Sequence, residues 1–370
     1  MKIFQKITSA VLAAATVLSL TACHGKDEVA VTIDGVSIKS GLYLCALLEA
    51  DSAARSKVDS EKSADNTSST ASSSEKETDY YSQTIDGQKY VDYVKANTLD
   101  RCKEFAFYQK MADEKKITLT DEEKSEANSY AEYYWNYYST VYEANGVSLN
   151  TYKQSVLYNY YANAYFRSIY GEGGEKAVDS KTISETLTEK YALVYKLTSS
   201  FSTETSATDK TALKNKLESL IPRLKNGEDF KTISDEFNGT KSEDTTTKST
   251  GDDTPKDSSA TIVGDSDTNY STDLFDDIAK MKKGEMKVMN EPNDAGISLY
   301  VKLDITEDPY YLKTLKDQIL VILKQDEFNK AVKEKAAELK TDENKYATNR
   351  FKVKKLVYPE QSSSTSGTQA

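Results

Sequence analysis

The chain has 370 residues, a net charge of −11 and 38% hydrophobic side chains. This length allows two or three domains, and the polar composition predicts that part of the chain lies outside any core. The acidic balance argues against binding to nucleic acid or lying flat on an anionic membrane. His24 is the only histidine, which removes the commonest general base and zinc ligand from the folded part. Any chemistry would use carboxylates, Tyr, Ser or Lys, and we expect no cofactor and no metal site.

The first 23 residues have the features of an export signal. Lys2 and Lys6 form a basic head, and "VLAAATVLSL" is an apolar run too short to span comfortably as a mature helix. The ending "LTAC" resembles a bacterial lipobox, which implies cleavage before Cys23 and lipidation of that residue. An ordinary signal peptide is the alternative. We expect a signal peptide over 1–22, a tether over 23–28 and anchoring at the outer face of a bacterial membrane. Removing residues 1–22 takes the net charge to −13.

Two strands and a helix are predicted after the tether. Val29, Val31 and Ile33 alternate before Asp34-Gly35, a hairpin turn signal, and the alternation resumes at Val36. Ser40 is a candidate N-cap for a short helix through Leu44, Leu47 and Leu48. Residues 51–84 are almost entirely polar, which predicts a disordered insertion. Cys45 and Cys102 lack a metal-ligand spacing; buried free thiols are favoured, and a disulfide between them stays open.

A helical region follows from about residue 90 to Gly171. Thr120 and Glu123 form a capping-box pattern, and Gly146 is placed to end the helix that starts there. This helix and the next are rich in tyrosine. The rings could pack the helical domain, or they could form an adaptable aromatic surface that binds varied unfolded chains. On the second interpretation, the candidates for client binding are Tyr133, Tyr134, Tyr137, Tyr138, Tyr161 and Tyr165.

The middle of the chain predicts a small α+β domain. "YALVYKLT" (191–198) has the composition of a strand, and a helix follows from Thr208 to Lys225, with Pro222 late in its pattern. Asp229 can cap the next helix, whose apolar face leaves Asp235 and Glu236 on the solvent side. These two carboxylates are therefore not predicted to be catalytic. Residues 238–270 are predicted to be a polar insertion, and two strands follow with a turn at Asn293-Asp294 between them.

The tail contains a predicted amphipathic helix from about Tyr310 to Leu339. "RFKVKKLVYP" follows as a predicted strand, and the end of the chain is rich in Ser and Thr. This late strand could pair with the hairpin near Val31. Such pairing would join the two ends of the chain into one domain around the middle segment.

Three features together resemble the parvulin-type foldase lipoproteins (PrsA-like) and the related SurA-like chaperones. They are the lipobox, the opening "VAVTIDGVSIKSGLY", and "LKNGEDFKTISDEF" followed by "LFDDIAKMKKGEM". The resemblance implies an α+β fold in which a discontinuous, mostly helical chaperone domain surrounds a small parvulin-like domain. Its predicted limits are 29–180 and 309–358 for the chaperone domain, 181–308 for the parvulin-like domain and 359–370 for a disordered tail.

The active-site positions implied by the resemblance are altered. The family's first strand begins with His-Ile-Leu-Val, where this chain has Tyr191-Ala-Leu-Val; its last strand reads Gly-Tyr-His, where this chain has Gly296-Ile-Ser. Depending on the alignment, Ser298 or Leu299 occupies the second histidine position. We therefore expect a membrane-anchored chaperone for unfolded exported proteins with weak or no peptidyl-prolyl isomerase activity. An active isomerase with non-histidine pocket residues and a surface-binding or adhesin lipoprotein are the alternatives, and the clients and oligomeric state stay open.

Overall fold

The computed structural model describes residues 28–65, 78–240 and 254–359. The chain divides into two compact units. Unit 1 comprises the residues up to Ser168 and from Asp326 onward, and unit 2 is Ile169–Gln325. The sequence predicts domain limits at 180/181 and 308/309, whereas these units divide at 168/169 and 325/326. The predicted signal peptide (1–22) and the lipidation candidate Cys23 lie outside the described residues.

Unit 1 is mainly helical. Its helices are α1 (Ser40–Asp65), α2 (Tyr90–Lys115), α3 (Asp121–Ala144), most of α4 (Leu149–Tyr170), the last part of α10 (Pro309–Ala337), and α11 (Lys345–Thr348). A three-stranded antiparallel sheet of order β2-β1-β9 is formed by β1 (Val29–Ile33), β2 (Val36–Lys39) and β9 (Thr341–Glu343). A short hairpin joins β3 (Thr84–Ile85) and β4 (Gln88–Lys89).

The predicted hairpin near the start of the chain is confirmed. Ile33 pairs with Val36 across a turn in which Asp34 and Gly35 have φ angles of 50° and 89°. Only glycine and a few polar residues adopt such angles readily, which explains why Asp-Gly occupies this turn. Ile33 and Ile38 are fully buried. The hydroxyl of Ser40 donates to the carbonyl of Glu28 at 3.0 Å at the start of α1.

The two ends of the chain meet in one sheet, as predicted, but through a different strand. β9 pairs with β1, with Val31 opposite Glu343 and Ile33 opposite Thr341. The predicted strand "RFKVKKLVYP" is wrong, because Val353–Lys355 forms a 3-10 turn. This turn buries Val353 while Lys354 and Lys355 point to solvent. The apolar residue of this pattern is therefore buried and its basic residues are exposed, although the segment is not a strand.

A buried carboxylate connects the C-terminal segment to α1 and α2. Asp51 has no exposed side-chain surface and accepts hydrogen bonds from Arg55 (2.8 Å), Tyr90 (2.9 Å) and Tyr358 (2.6 Å). The Arg55 guanidinium also lies 4.1 Å from the centre of the Tyr358 ring. Because a buried charge must be paired and hydrogen-bonded to be tolerated, these contacts specify how the tail packs on the helices.

The predicted disordered insertion over 51–84 is wrong where it is described. Helix α1 continues to Asp65, and Ala54 and Val58 are buried on the same side as Asp51. Ile85, directly after the predicted insertion, is also fully buried. The polar composition did not indicate this helix, because only a few small apolar residues and one buried carboxylate pack it against the rest of unit 1. Residues 66–77 lie outside the described part of the chain.

Other local predictions in unit 1 are confirmed. Thr120 and Glu123 form the capping box of α3, and Gly146 follows its C-cap with a φ angle of 84°. Cys45 and Cys102 are buried free thiols. Burial raises the pKa of both thiols, so that they stay protonated and act as small apolar side chains.

Unit 2 contains an antiparallel sheet of order β6-β5-β8-β7. The strands are β5 (Tyr191–Ser200), β6 (Ala260–Gly264), β7 (Met286–Asn290) and β8 (Gly296–Leu303), and the helices include α5 (Ser180–Lys190), α6 (Ala207–Glu218), α7 (Ile221–Lys225), α8 (Phe230–Asn238) and α9 (Thr272–Ala279). One face of the sheet packs on α6 and α8, and the other packs on α9. The α+β class is confirmed.

Two predictions for unit 2 need correction. The polar insertion over 238–270 contains β6, in which Val263 is fully buried opposite Ala192; residues 241–253 lie outside the described ranges. The predicted helix from Thr208 to Lys225 is interrupted, because α6 ends at Glu218 and Pro222 lies in the first turn of α7. Proline lacks the N–H that a helix interior needs, so it starts a new helix here.

The long helix of the tail is confirmed as α10. Ile319, Phe328 and Val332 are buried as predicted, but Ile322 is 47% exposed. Within the described ranges, no helix combines the length and apolar character needed to cross a membrane.

Candidate functional site

Helix α3 presents a line of exposed aromatic rings. Tyr130, Tyr133, Tyr137 and Tyr138 are 48%, 57%, 60% and 47% exposed. The spacing of three, seven and eight residues from Tyr130 places the rings on one face of the helix. The fully buried residues of α3 are the small Ala127 and Ala131, while Trp135 and Tyr142 are partly buried against the same core.

The rings form a continuous surface with half-buried Tyr134 at its centre. Ring centres of Tyr134 lie 4.4 Å from Tyr130, 5.2 Å from Tyr133 and 6.2 Å from Tyr138. The hydroxyl of Tyr137 donates to that of Tyr133 at 3.2 Å. We call Tyr130, Tyr133, Tyr134, Tyr137 and Tyr138 the tyrosine stripe. Contacts between neighbouring rings limit their rotation, so the stripe is a preformed surface.

The six tyrosines predicted to bind clients differ in their exposure to solvent. Tyr133, Tyr137 and Tyr138 are exposed on the stripe, and Tyr134 is half-buried within it. Tyr161 is half-buried on α4. Tyr165 is only 5% exposed and packs 5.6 Å from Phe107, so its inclusion as a surface residue is wrong. Tyr130 belongs to the stripe but was missing from the predicted set, although its helical spacing could have identified it.

A groove of about 390 Å³ runs between α3 and α4 beside the stripe. Tyr130 belongs to both the stripe and the groove. The other lining residues carry mostly polar groups: Glu123, Glu126, Asn159, Tyr160, Asn163 and Arg167, with Val156. Amide and hydroxyl groups both donate and accept hydrogen bonds, so this groove can bind the N–H and C=O groups of an extended polypeptide.

A second cluster of polar side chains lies on the α9 face of the sheet in unit 2. Glu291 accepts hydrogen bonds from Ser298, from Tyr300 (2.6 Å) and from Lys196 (3.0 Å). Ser298 also lies 2.7 Å from the hydroxyl of Thr198, its partner across the sheet. Ser298 and Tyr300 have no exposed surface. Because each of these groups already has a partner inside the cluster, the arrangement is that of a satisfied buried network.

The three predicted active-site positions do not come together. Successive residues of a strand point to opposite faces, and the register between β5 and β8 places Tyr191 and Ser298 on different faces. Leu299 is on the same face of the sheet as Tyr191, but it pairs with Leu197. Leu197 lies six residues from Tyr191, which is roughly 20 Å along β5. The hydroxyl of Tyr191 donates to Gln318 at 3.2 Å. The polar partners of Ser298 are instead Thr198 and Glu291, which the sequence prediction missed.

Two acidic segments of unit 2 have structural roles. Asp229 caps α8, and Glu236 pairs with Arg223 at 2.7 Å on the exposed side of that helix. Over residues 265–276, Asp265 pairs with Lys190 at 3.0 Å and Ser271 caps α9. Among the described residues, no three His, Cys, Asp or Glu side chains are grouped as a metal site.

Comparison with known proteins gives structural similarities only. No family model matches the chain, and no curated protein matches its sequence. The foldase protein PrsA from Lactococcus lactis is 14% identical, with 87% of this chain and 97% of that chain covered at a TM-score of 0.37. PrsA from Streptococcus pneumoniae is 10% identical, with 73% of this chain and 98% of that chain covered at a TM-score of 0.38. PrsA from Bacillus subtilis is 14% identical, with 75% of this chain and 93% of that chain covered at a TM-score of 0.30. With TM-scores below 0.5, these similarities carry no functional assignment, which must come from the chain's own residues.

The charge state of Glu291 gives unit 2 a specific pH dependence. Burial raises the pKa of Glu291, but the hydrogen bonds from Ser298, Tyr300 and Lys196 outweigh it and hold the pKa below its usual value. A carboxylate with a depressed folded-state pKa stabilises the fold above its unfolded pKa of about 4.3. This contribution is lost as the pH falls through the folded-state pKa.

We predict that Glu291→Gln destabilises unit 2 by about 2 kcal/mol at pH 7, because Lys196 loses its charged partner. The variant should also lose less stability than the parent between pH 5 and pH 3. Pulsed hydrogen exchange of peptides covering residues 286–303, after equilibration in urea, measures both effects. Glu204→Gln, on an exposed side chain of unit 2, is the control and should change neither. An equal loss of stability with pH in the parent and the Glu291 variant would contradict the prediction.

Proposed function

We propose that this chain is a membrane-anchored extracytoplasmic chaperone of the foldase type that binds unfolded exported proteins through the tyrosine stripe. The observation that carries the proposal is the exposure of four neighbouring tyrosine rings on α3. The signal-like segment 1–22 and the lipobox ending at Cys23 support export and anchoring. The resemblance of "LKNGEDFKTISDEF" and "KKGEM" to parvulin-type foldases supports the class of protein.

The stripe has the properties required to bind many different unfolded chains. Tyrosine provides a large contact area with few rotatable bonds, so binding costs little side-chain entropy. The hydroxyl groups keep the exposed rings compatible with water when no client is bound. Unfolded proteins expose aromatic and aliphatic side chains, which can lie against these rings without a defined sequence.

The groove beside the stripe supplies a complementary kind of contact. A client segment whose side chains lie on Tyr133 and Tyr137 can place its backbone along the groove that begins at Tyr130. Asn159 and Asn163 offer amide groups to that backbone. Contacts to the backbone are independent of client sequence, whereas rings favour apolar segments, so the two together select unfolded polypeptide over folded protein.

We propose that isomerase activity is weak or absent. Catalysis of X-Pro isomerisation needs placed hydrogen-bonding groups around a twisted amide in a dry cleft. Ser298 and its polar neighbours are hydrogen-bonded to one another, and Tyr191 is on the other face of the sheet. An active isomerase that uses Tyr191 or Ser298 is the second candidate function.

We predict that the parent chain delays aggregation of a chemically unfolded client such as reduced lysozyme without ATP. Tyr137→Ser should raise the concentration needed for half-maximal protection about fivefold, because one ring contact contributes about 1 kcal/mol. Light scattering during dilution of the client from denaturant measures this concentration.

The matched control is Tyr346→Ser, which removes a 76% exposed tyrosine of unit 1 that is outside the stripe. Tyr137→Phe keeps the ring and should protect as well as the parent. Equal protection by the Tyr137→Ser and parent proteins would assign client binding to another surface.

We predict that the chain does not measurably accelerate isomerisation of a chromogenic X-Pro tetrapeptide, whose spontaneous half-time is tens to hundreds of seconds. Spectrophotometric assay of the released chromophore tests this expectation. Strong acceleration that Tyr191→Phe or Ser298→Ala reduces would favour the second candidate function instead.

A further inference from the structure

A basic segment stands out at the C-terminal end of this acidic chain. Residues 344–359 include Lys345, Arg350, Lys352, Lys354 and Lys355 and no Asp or Glu. All five side chains are on exposed residues. The segment therefore forms a local positive surface on a protein with a net charge of −11.

Part of this segment surrounds a pocket of about 470 Å³ in unit 1. Four lysines line it: Lys95, Lys345, Lys352 and Lys354. Among the described carboxylates, none is within ion-pair distance of these four ammonium groups. Among the described lining residues, Glu343 is the acidic one, and its carboxylate accepts a hydrogen bond from Thr348. The charge of the pocket is thus strongly positive and largely uncompensated.

Apolar side chains line one part of the pocket, beside the hydroxyl group of Tyr43. Val91, Leu99 and Phe351 line it together with Tyr43, which is only 4% exposed. Within the described part of the chain, no fully buried side-chain nitrogen or oxygen atom lacks a partner, and the Tyr43 hydroxyl makes no hydrogen bond, so this hydroxyl keeps some exposed surface at the pocket. Burial raises its pKa, so it stays protonated and available as a donor. A hydroxyl that reaches the surface of a pocket can donate a hydrogen bond to water or to a ligand there.

The pocket lies close to the point at which the described chain begins. Glu28 forms an ion pair with Arg350 and accepts a hydrogen bond from Asn344, and these two residues flank Lys345 and Asn349 of the pocket lining. Glu28 is five residues after Cys23. Five extended residues span at most about 18 Å, so a lipid on Cys23 would hold this surface near the membrane.

We propose that this pocket binds the headgroup of an anionic phospholipid. The Tyr43 hydroxyl donates to a phosphate oxygen, the four lysines neutralise the phosphate, and the apolar walls contact the glycerol and upper acyl carbons. The placement relative to the membrane rests on the Cys23 anchor of the proposed function. One lipid chain alone binds membranes only marginally, so a basic pocket beside the anchor supplies the second contact that stable attachment requires.

The test uses the chain from residue 23 onward with Cys23→Ser, so that no acyl chain contributes. Its partitioning onto vesicles of equal parts phosphatidylglycerol and phosphatidylcholine is compared with that onto phosphatidylcholine alone, by co-sedimentation at low and at about 0.15 M salt. We expect binding to the anionic vesicles only. Lys345→Gln, Lys352→Gln and Lys354→Gln together should lower the partition coefficient roughly 100-fold.

The matched control carries Lys181→Gln, Lys214→Gln and Lys280→Gln, which change the net charge equally at exposed sites of unit 2 and should bind as the parent does. Tyr43→Phe should weaken binding several-fold with little change in the unfolding midpoint reported by Trp135, the only tryptophan. Equal losses in both triple variants, or full binding by the Tyr43→Phe protein, would overturn the pocket as the site. Binding of an acidic peptide but not of anionic vesicles would overturn the proposal that the ligand of the pocket is a phospholipid. The chaperone activity is tested in solution without a membrane. A failure to suppress aggregation would therefore contradict the proposed function, and a failure to bind anionic vesicles would contradict the lipid pocket.

Discussion

The structure of unit 1 depends on the pairing of the two ends of the chain. Residues 169–325 form unit 2, and the strands β1 and β9 can pair only when this long segment is closed into a loop. Loop closure over such a length costs on the order of 4 kcal/mol in entropy. The contacts of Asp51 with Arg55, Tyr90 and Tyr358 help to offset it, because they join the tail to α1 and α2 inside the core. A buried charge with three partners specifies one arrangement of the ends and excludes others.

The functional surface follows from how α3 is used in that unit. The fully buried residues of α3 are Ala127 and Ala131, so the helix lies close to its neighbours, and four of its tyrosines are exposed. The capping box at Thr120 and the ion pair between Glu123 and Arg167 fix the start of α3 against α4. The stripe and the groove therefore have a rigid support. In unit 2, by contrast, polar groups that could serve a reaction are satisfied by one another, with Glu291 at the centre.

Features that depend on neighbouring residues could be predicted from the sequence. Asp34-Gly35 marked the hairpin because its backbone angles need such residues, and Thr120 with Glu123 marked a helix start because both partners lie within one turn. Residues 51–65 and 260–264 could not be predicted. Their regular structure depends on the hydrogen bond from Tyr358 to Asp51 and on the pairing of Val263 with Ala192. In both cases the two partners are distant in sequence. For the same reason the partners of Ser298 were missed: the register of β5 against β8 decides which side chains share a face.

Client binding by the tyrosine stripe is the central claim, and site-specific photocrosslinking tests it most directly. A benzoylphenylalanine replaces Tyr137 in one protein and Tyr346 in another, and each is irradiated with a client in its unfolded and folded forms. We predict strong crosslinks from position 137 to the unfolded client, few to the folded client, and few from position 346 to either. Equal yields from the two positions, or no crosslink from position 137, would contradict the account.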